Sequence, residues 1–363
     1  MAVTVFTAVI VAVFVIVSGA TGGGSDRGRP TSSQAATGGT SASATSTSRS
    51  RSEAKPRPRS PSAPFRVGIM PLQITEPAGS ASSNGRTAAG GPARVLPTMV
   101  RYPAQGRGGS IAVPGAPVAS AGGPFPLVVF SQGYDVHAES YAGLLDAWAR
   151  AGFVVADPTY PFTDPSSADG VNENDIVNHP ADLRFAISTL EAQARDPASR
   201  LHGLVNPSEV AIIGHSDGGD VSAAVAANSC CSDPRVKAAV ILSGAELAAF
   251  GGTYFSGHTA PLLVIQGDAD TINIPGCSVG IYDQAHPPKY YIELPASEHQ
   301  PPYLDPGPLR SHIAQAVVDF LKLALLHQSS RLAALQRTAR LPGQMSLITA
   351  PSLGSASRYC PGA

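Results

Sequence analysis

A chain of 363 residues with a formal net charge of −1 and 14% charged residues offers no broad basic face for nucleic acid and no acidic surface for polycations. Its four cysteines, Cys230, Cys231, Cys277 and Cys360, form no paired CxxC sets, which argues against a structural zinc site and, in an exported protein, for disulfides. The length allows two average domains, but roughly the first sixty residues have little to bury, so one large folded domain is expected.

The apolar run from Ala2 to Val17, followed by Ser18-Gly19-Ala20, reads as a signal peptide cleaved after Ala20 or as a retained membrane anchor. It falls short of the roughly 20 apolar residues that a spanning helix needs, and no Lys or Arg precedes it. From Thr21 to Pro64 the composition is that of a solvated linker (SASATSTSRSRS, KPRPRSPSAP), whose arginines offer contact with an anionic envelope or membrane surface. A secreted or cell-surface protein is the expectation.

A catalytic domain is expected over 65–327. FRVGIMPLQI and RVLPTMVRYP read as early antiparallel strands split by the loop from Ala78 to Pro92. Then come PLVVFS (strand), a helix from His137 to Ala151, FVVADP (strand) and a helix from Pro180 to Ala194. EVAIIG (strand) leads into a helix from Ser216 to Asn228, followed by the strands VKAAVILSG and PLLVIQG. A helix from Pro275 to Ala285, the last strand KYYIEL and a closing helix from Leu309 to Leu326 complete the domain. Residues 328–363 read as a tail with one helix, Ser330 to Arg340. Near-continuous apolar strands alternating with helices predict a mostly parallel sheet, of the eight-stranded type, covered on both faces.

Gly214-His215-Ser216-Asp217-Gly218 fits GxSxG between a strand and a helix, the pattern of a nucleophile elbow. The turn strains the serine, and glycines on either side avoid clashes that a Cβ would cause. Such a nucleophile needs an acid and then a histidine later in the chain, each after the carboxyl end of a strand. PLLVIQGDADTINIP supplies Asp268 and Asp270; Asp270, three residues past Gly267, is preferred as the acid. KYYIELPASEHQPPY places His299 after the last strand as the base, whereas His312 and His327 fall on or after the closing helix and His286 precedes the strand. Two backbone N–H donors are needed for an oxyanion: Asp217 after the nucleophile, and Tyr134 in Ser131-Gln132-Gly133-Tyr134 after PLVVFS.

With these segments, and with RVLPTMVRYPA and GHSDGG, the chain from Phe65 to about Leu326 resembles one branch of the α/β-hydrolase superfamily. That branch contains bacterial polyesterases and cutinase-like lipases, platelet-activating-factor acetylhydrolases, chlorophyllases and relatives of dienelactone hydrolases. The resemblance implies the α/β-hydrolase fold and a serine carboxylesterase without cofactor or metal, acting on a small-molecule or lipid ester. It assigns Ser216, Asp270 and His299 as triad and Tyr134 and Asp217 as oxyanion donors. Two departures stand out. Dienelactone hydrolases proper use a cysteine nucleophile, and many polyesterases carry an aromatic residue before the serine where this chain has His215. Two other readings remain: an amidase or peptidase with the same triad, and a non-catalytic surface-binding α/β-hydrolase.

The connection from Ala245 to Ala260 is too short for a helical cap, and the excursion from Thr159 to Asn178 is too polar for an apolar lid. An open cleft for short- to medium-chain esters follows, unless the loop from Gly251 to His258, with Tyr254 and Phe255, folds over Ser216. The helix starting at Ser216 runs away from the active-site end, which separates Cys230 and Cys231 from Cys277. A bridge between the groups would exceed the reach of a disulfide, so Cys277 is expected to pair with Cys360, while Cys230 and Cys231 stay together.

Overall fold

The computed structural model describes residues 64–78, 93–109, 111–119, 122–168, 170–257, 259–354 and 360. The apolar run at 2–17, the linker up to residue 63 and most of the 78–92 loop lie outside the described residues. No helix among the described residues is long and apolar enough to cross a membrane.

The chain opens with β1 (Phe65–Glu76), β2 (Arg94–Arg107) and the two-residue β3 (Val113–Pro114). It continues with β4 (Phe125–Ser131), α1 (Ala142–Arg150), β5 (Val154–Pro158) and α2 (His179–Arg195), each of these helices preceded by a 3-10 turn. Next come β6 (Val205–His215), α3 (Asp217–Ala227), β7 (Val236–Leu242), β8 (Leu262–Gly267), α4 (Pro275–Gln284) and β9 (Lys289–Leu294). Last are α5 (Pro301–Leu304), α6 (Pro308–Ala324), α7 (Ser330–Thr338) and β10 (Ser346–Ile348).

Among the described residues the strands form one ten-stranded sheet in the order β10-β9-β8-β7-β6-β4-β5-β2-β1-β3. The run from β5 through β4 to β9 is parallel, and β1, β2 and β10 are added antiparallel. Strand pleat divides the core in two. Leu127, Val129 and Ile212 pack on the face covered by α2, α3 and α4, while Val128, Phe130 and Ile213 pack on the face covered by α1, α6 and α7. Burial on both faces explains why these strands read as continuous apolar runs rather than alternating ones. The fold exceeds the expected strand count only at its edges, where β3 and β10 have two and three residues. Strands this short carry no periodic signal of their own. The chain after residue 327 adds two elements to the fold: α7 buries Leu335 in the second core, and β10 pairs with β9 through Leu347 and Ile292.

Cys277 and Cys360 form a disulfide with Cα atoms 4.6 Å apart, and the neighbours Cys230 and Cys231 are joined to each other. Both groupings match the reading of the sequence.

A buried cation lies between β2 and β5. Arg101, 2% exposed, donates to Asp157 at 2.8 Å, to Asp146 at 3.2 Å and to Glu139 at 2.5 Å. Burial pushes the Asp157 carboxyl up to about 7 against the pull of Arg101. Removing the cation leaves that carboxylate without compensation, so Arg101→Met should lower the unfolding free energy by about 3–5 kcal/mol, read from urea unfolding. A loss below about 1 kcal/mol would show that the charges compensate one another little.

Candidate active site

β6 ends at His215 and α3 begins at Asp217, leaving one residue to turn the chain. Ser216 makes that turn at φ 56° and ψ −127°, in the left-handed region that side chains avoid. The turn closes because its neighbours are glycines: a Cβ on Gly214 would strike the carbonyl of Gly218, and one on Gly218 would strike the carbonyl of Ser131. Ser216 therefore stands at the carboxyl ends of the central strands with its Oγ outward.

His299 follows β9 and is 7% exposed. Its Nε2 lies 2.8 Å from Ser216 Oγ, and its Nδ1 lies 2.7 Å from Asp270 Oδ2. Asp270 is buried; Oδ1 accepts from the Ile272 amide at 2.9 Å and Oδ2 from Gln266 Nε2 at 3.1 Å. Burial raises the Asp270 carboxyl, but the hydrogen bond and charge of His299 outweigh it, with help from Ile272 and Gln266, and hold it below the usual carboxylate range. Gln266 is itself fixed, since its Oε1 accepts from Ser278 Oγ at 2.6 Å. Asp268, the alternative acid, is exposed and points elsewhere: its Oδ1 accepts from the Ala296 amide at 2.6 Å. It holds the turn that carries the chain towards His299.

The two expected oxyanion donors flank the serine. Asp217 is the first residue of α3, where an amide has no partner within the helix. Tyr134 lies in the loop after β4, which touches the nucleophile closely: a Cβ on Gly133 would sit 3.1 Å from Ser216 Cβ. The structure thus brings Ser216, His299, Asp270, Tyr134 and Asp217 to one end of the sheet, an arrangement able to deprotonate a serine and to receive a carbonyl oxygen.

Two clefts share Ile272 in their walls, and each is lined by a neighbour of Ser216, Asp217 in one and His299 in the other. One, of about 320 Å³, is lined by Asp217, Asp220, Glu173, Glu246 and the apolar Val177 and Leu247. The other, of about 510 Å³, holds His299, Thr271, Pro301 and Leu304. Ile272, 68% exposed, borders both. Among the described residues the only element between β7 and β8 is a 3-10 turn, Ala248–Phe250, too short to form a helical cap. The loop after that turn packs on the far end of α3, where Phe255 N donates to Ala227 O at 2.9 Å and Asn228 Nδ2 to Gly251 O at 2.8 Å. It does not fold over Ser216. The excursion at 159–178 contributes a wall through Glu173 and Val177, and Arg94 clamps that wall with bonds of 2.7 and 2.9 Å to Asp175.

The sequence reading noted His215 only as a departure from the family pattern and passed over Tyr141 and Asp220. His215 is fully buried and bonded to Tyr141 Oη and to the His299 carbonyl, and Asp220 Oδ1 accepts from the Ala245 amide at 2.6 Å. A serine on a strand-to-helix elbow, followed by an acid and a histidine at the carboxyl ends of a parallel sheet, makes this fold that of an α/β-hydrolase. Residues 73–331 match the family model described as PET hydrolase-like, and the chain belongs to that family of polyester-hydrolase relatives. No curated protein matches the sequence.

The different settings of the two aspartates separate them experimentally. With a p-nitrophenyl ester, Asp270→Asn should lower kcat by about 10³- to 10⁴-fold, and Asp268→Asn by less than about tenfold, because a neutral amide oxygen still accepts from Ala296. The reverse order would move the acid to Asp268.

Proposed function

We propose that the protein is an exported serine esterase that cleaves short- to medium-chain carboxylic esters, including ester bonds exposed in polyesters or bulky lipids, through an acyl-enzyme. The observation that carries this reading is the relay in which one imidazole spans Ser216 Oγ at 2.8 Å and Asp270 Oδ2 at 2.7 Å. His299 Nε2 takes the Ser216 proton as Oγ bonds to the ester carbonyl carbon, and the resulting oxyanion is held by the amides of Asp217 and Tyr134. Collapse breaks the bond to the alcohol oxygen, which leaves with the proton from His299. Water then bonds to the acyl carbon as it gives a proton to His299, and collapse breaks the bond to Ser216 Oγ, which takes that proton back as the acid leaves. Asp270 keeps the imidazole oriented and stabilises its charged form.

Membership of the PET hydrolase-like family supports ester hydrolysis, and the two disulfides support an oxidising, extracytoplasmic setting. The lack of a helical cap among the described residues supports action on dissolved esters without activation at an interface. The deciding experiment is an acyl-length series of p-nitrophenyl esters on the purified protein, joined to labelling by a fluorophosphonate. Rates should peak at short to medium chains, with no jump above the substrate's micellar concentration, and the label should fall on Ser216. Ser216→Ala and His299→Ala should each lower kcat by about 10⁶-fold with the fold retained, since nucleophile and base act as one unit. Absence of labelling would point to a binding module, and faster turnover of the matching anilide would point to an amidase.

Asp217 adds a pH signature. Burial and the nearby Glu173 push its carboxyl up to about 7, with His299 opposing the shift. Above that pH a negative charge stands beside the oxyanion donors; below it the group is neutral. The ratio of kcat/KM for Asp217→Asn over wild type should therefore rise between about pH 6 and pH 8. A ratio independent of pH would mean that the carboxylate does not act on the oxyanion.

A further inference from the structure

His215 lies inside the elbow, and its imidazole is fully buried. Its two ring nitrogens face different catalytic segments. Nε2 is 3.0 Å from the carbonyl oxygen of His299, which can only accept, so Nε2 carries the hydrogen. Burial, with the neighbouring His299, drives the imidazole down to about 3, which keeps it neutral and makes Nδ1 an acceptor. Tyr141 Oη, 2.7 Å from Nδ1, must then donate to it. The same phenol oxygen accepts from the Gly133 amide at 3.4 Å, one residue before Tyr134. The chain of bonds thus runs from Gly133 N–H to Tyr141, from Tyr141 to His215, and from His215 to the backbone of His299. The ring of Tyr303 stands 4.7 Å from that of His215, and its hydroxyl, donating to Ile265 O at 3.0 Å, closes the pocket from below.

We infer that His215 and Tyr141 form a positioning tie, with His215 locked in one neutral tautomer, that sets the oxyanion loop and the base loop at a fixed distance from Ser216. Neither residue touches the reacting atoms. The tie acts because Gly133 packs against Ser216 itself, with only 3.1 Å left for a Cβ, so a displaced loop would carry the Tyr134 amide away from the developing charge. A ring without two hydrogen-bonding nitrogens at this position could not join both loops.

The inference rests on the esterase reading, and a mutant cycle with p-nitrophenyl butyrate keeps the two apart. Tyr141→Phe retains the ring and removes only the hydroxyl. Full removal of an oxyanion donor costs about 10²- to 10³-fold, so a misplaced one should lower kcat by roughly tenfold or more, with KM within about twofold. His215→Phe keeps an aromatic ring but removes both ring nitrogens, so it breaks the bond to Tyr141 and the bond to His299 O. It should fall further than Tyr141→Phe. The double variant Tyr141→Phe/His215→Phe should then be no worse than His215→Phe alone. Wild-type kcat in Tyr141→Phe, a change confined to KM, or additive losses in the double variant would each overturn the tie while leaving the esterase reading intact. If His215→Phe does not fold, Tyr141→Phe decides by itself. A wild-type protein without ester turnover would sink the esterase reading and the tie with it.

Discussion

The conformation of Ser216 is the constraint on which the rest of the site depends. A non-glycine residue at φ 56° and ψ −127° costs about 1–3 kcal/mol and persists only where its surroundings over-determine it. Here the Ser216 amide donates to Leu242 O at 3.0 Å, on the adjacent β7, and its carbonyl accepts from Asp220 N at 3.0 Å, in the first turn of α3. Helix and sheet approach so closely across this turn that only glycine fits at 214 and 218. The strain is carried by two well-buried elements, so the serine is presented outward without help from any loop.

The other segments at that end of the sheet are held in place by polar side chains, most of them buried. Asp220 fastens the segment after β7 through the Ala245 amide, Gln266 and Ser278 hold Asp270, and Asp268 shapes the turn before His299. Farther out, Arg94 joins the start of β2 to both Asp175 and Asp182, the latter at 2.6 and 2.8 Å, and so fixes the cleft wall to the sheet. Such pairs contribute little net stability, because their desolvation offsets their attraction; their value lies in fixing geometry where loops would otherwise wander.

The parts of this design that rest on local pattern were legible in the sequence. The elbow announces itself through two glycines at set distances from Ser216, and the parallel strands through unbroken apolar runs. Asp270 and His299 were found by chain order and by their positions just past strands. The remainder depends on contacts between residues far apart. Tyr141 and His215 are separated by 74 positions and carry no shared motif, so their hydrogen bond has no signature in the chain. Arg101 looks like a solvent-facing residue of an edge strand; it is buried because Asp157, Asp146 and Glu139 arrive from three other segments. The strands β3 and β10 are defined by the neighbours they pair with, not by their own two or three residues.

That the described residues between β7 and β8 form no helical cap bears on the fate of the acyl group in the proposed reaction. Enzymes that shut over their substrate can shield a covalent intermediate and pass it to a chosen acceptor. Among the described residues this cleft has a wall pinned by Arg94 and no helical cap to shut over it. Water at its full concentration then competes directly with any alcohol for the proposed acyl-enzyme, which favours hydrolysis over transfer.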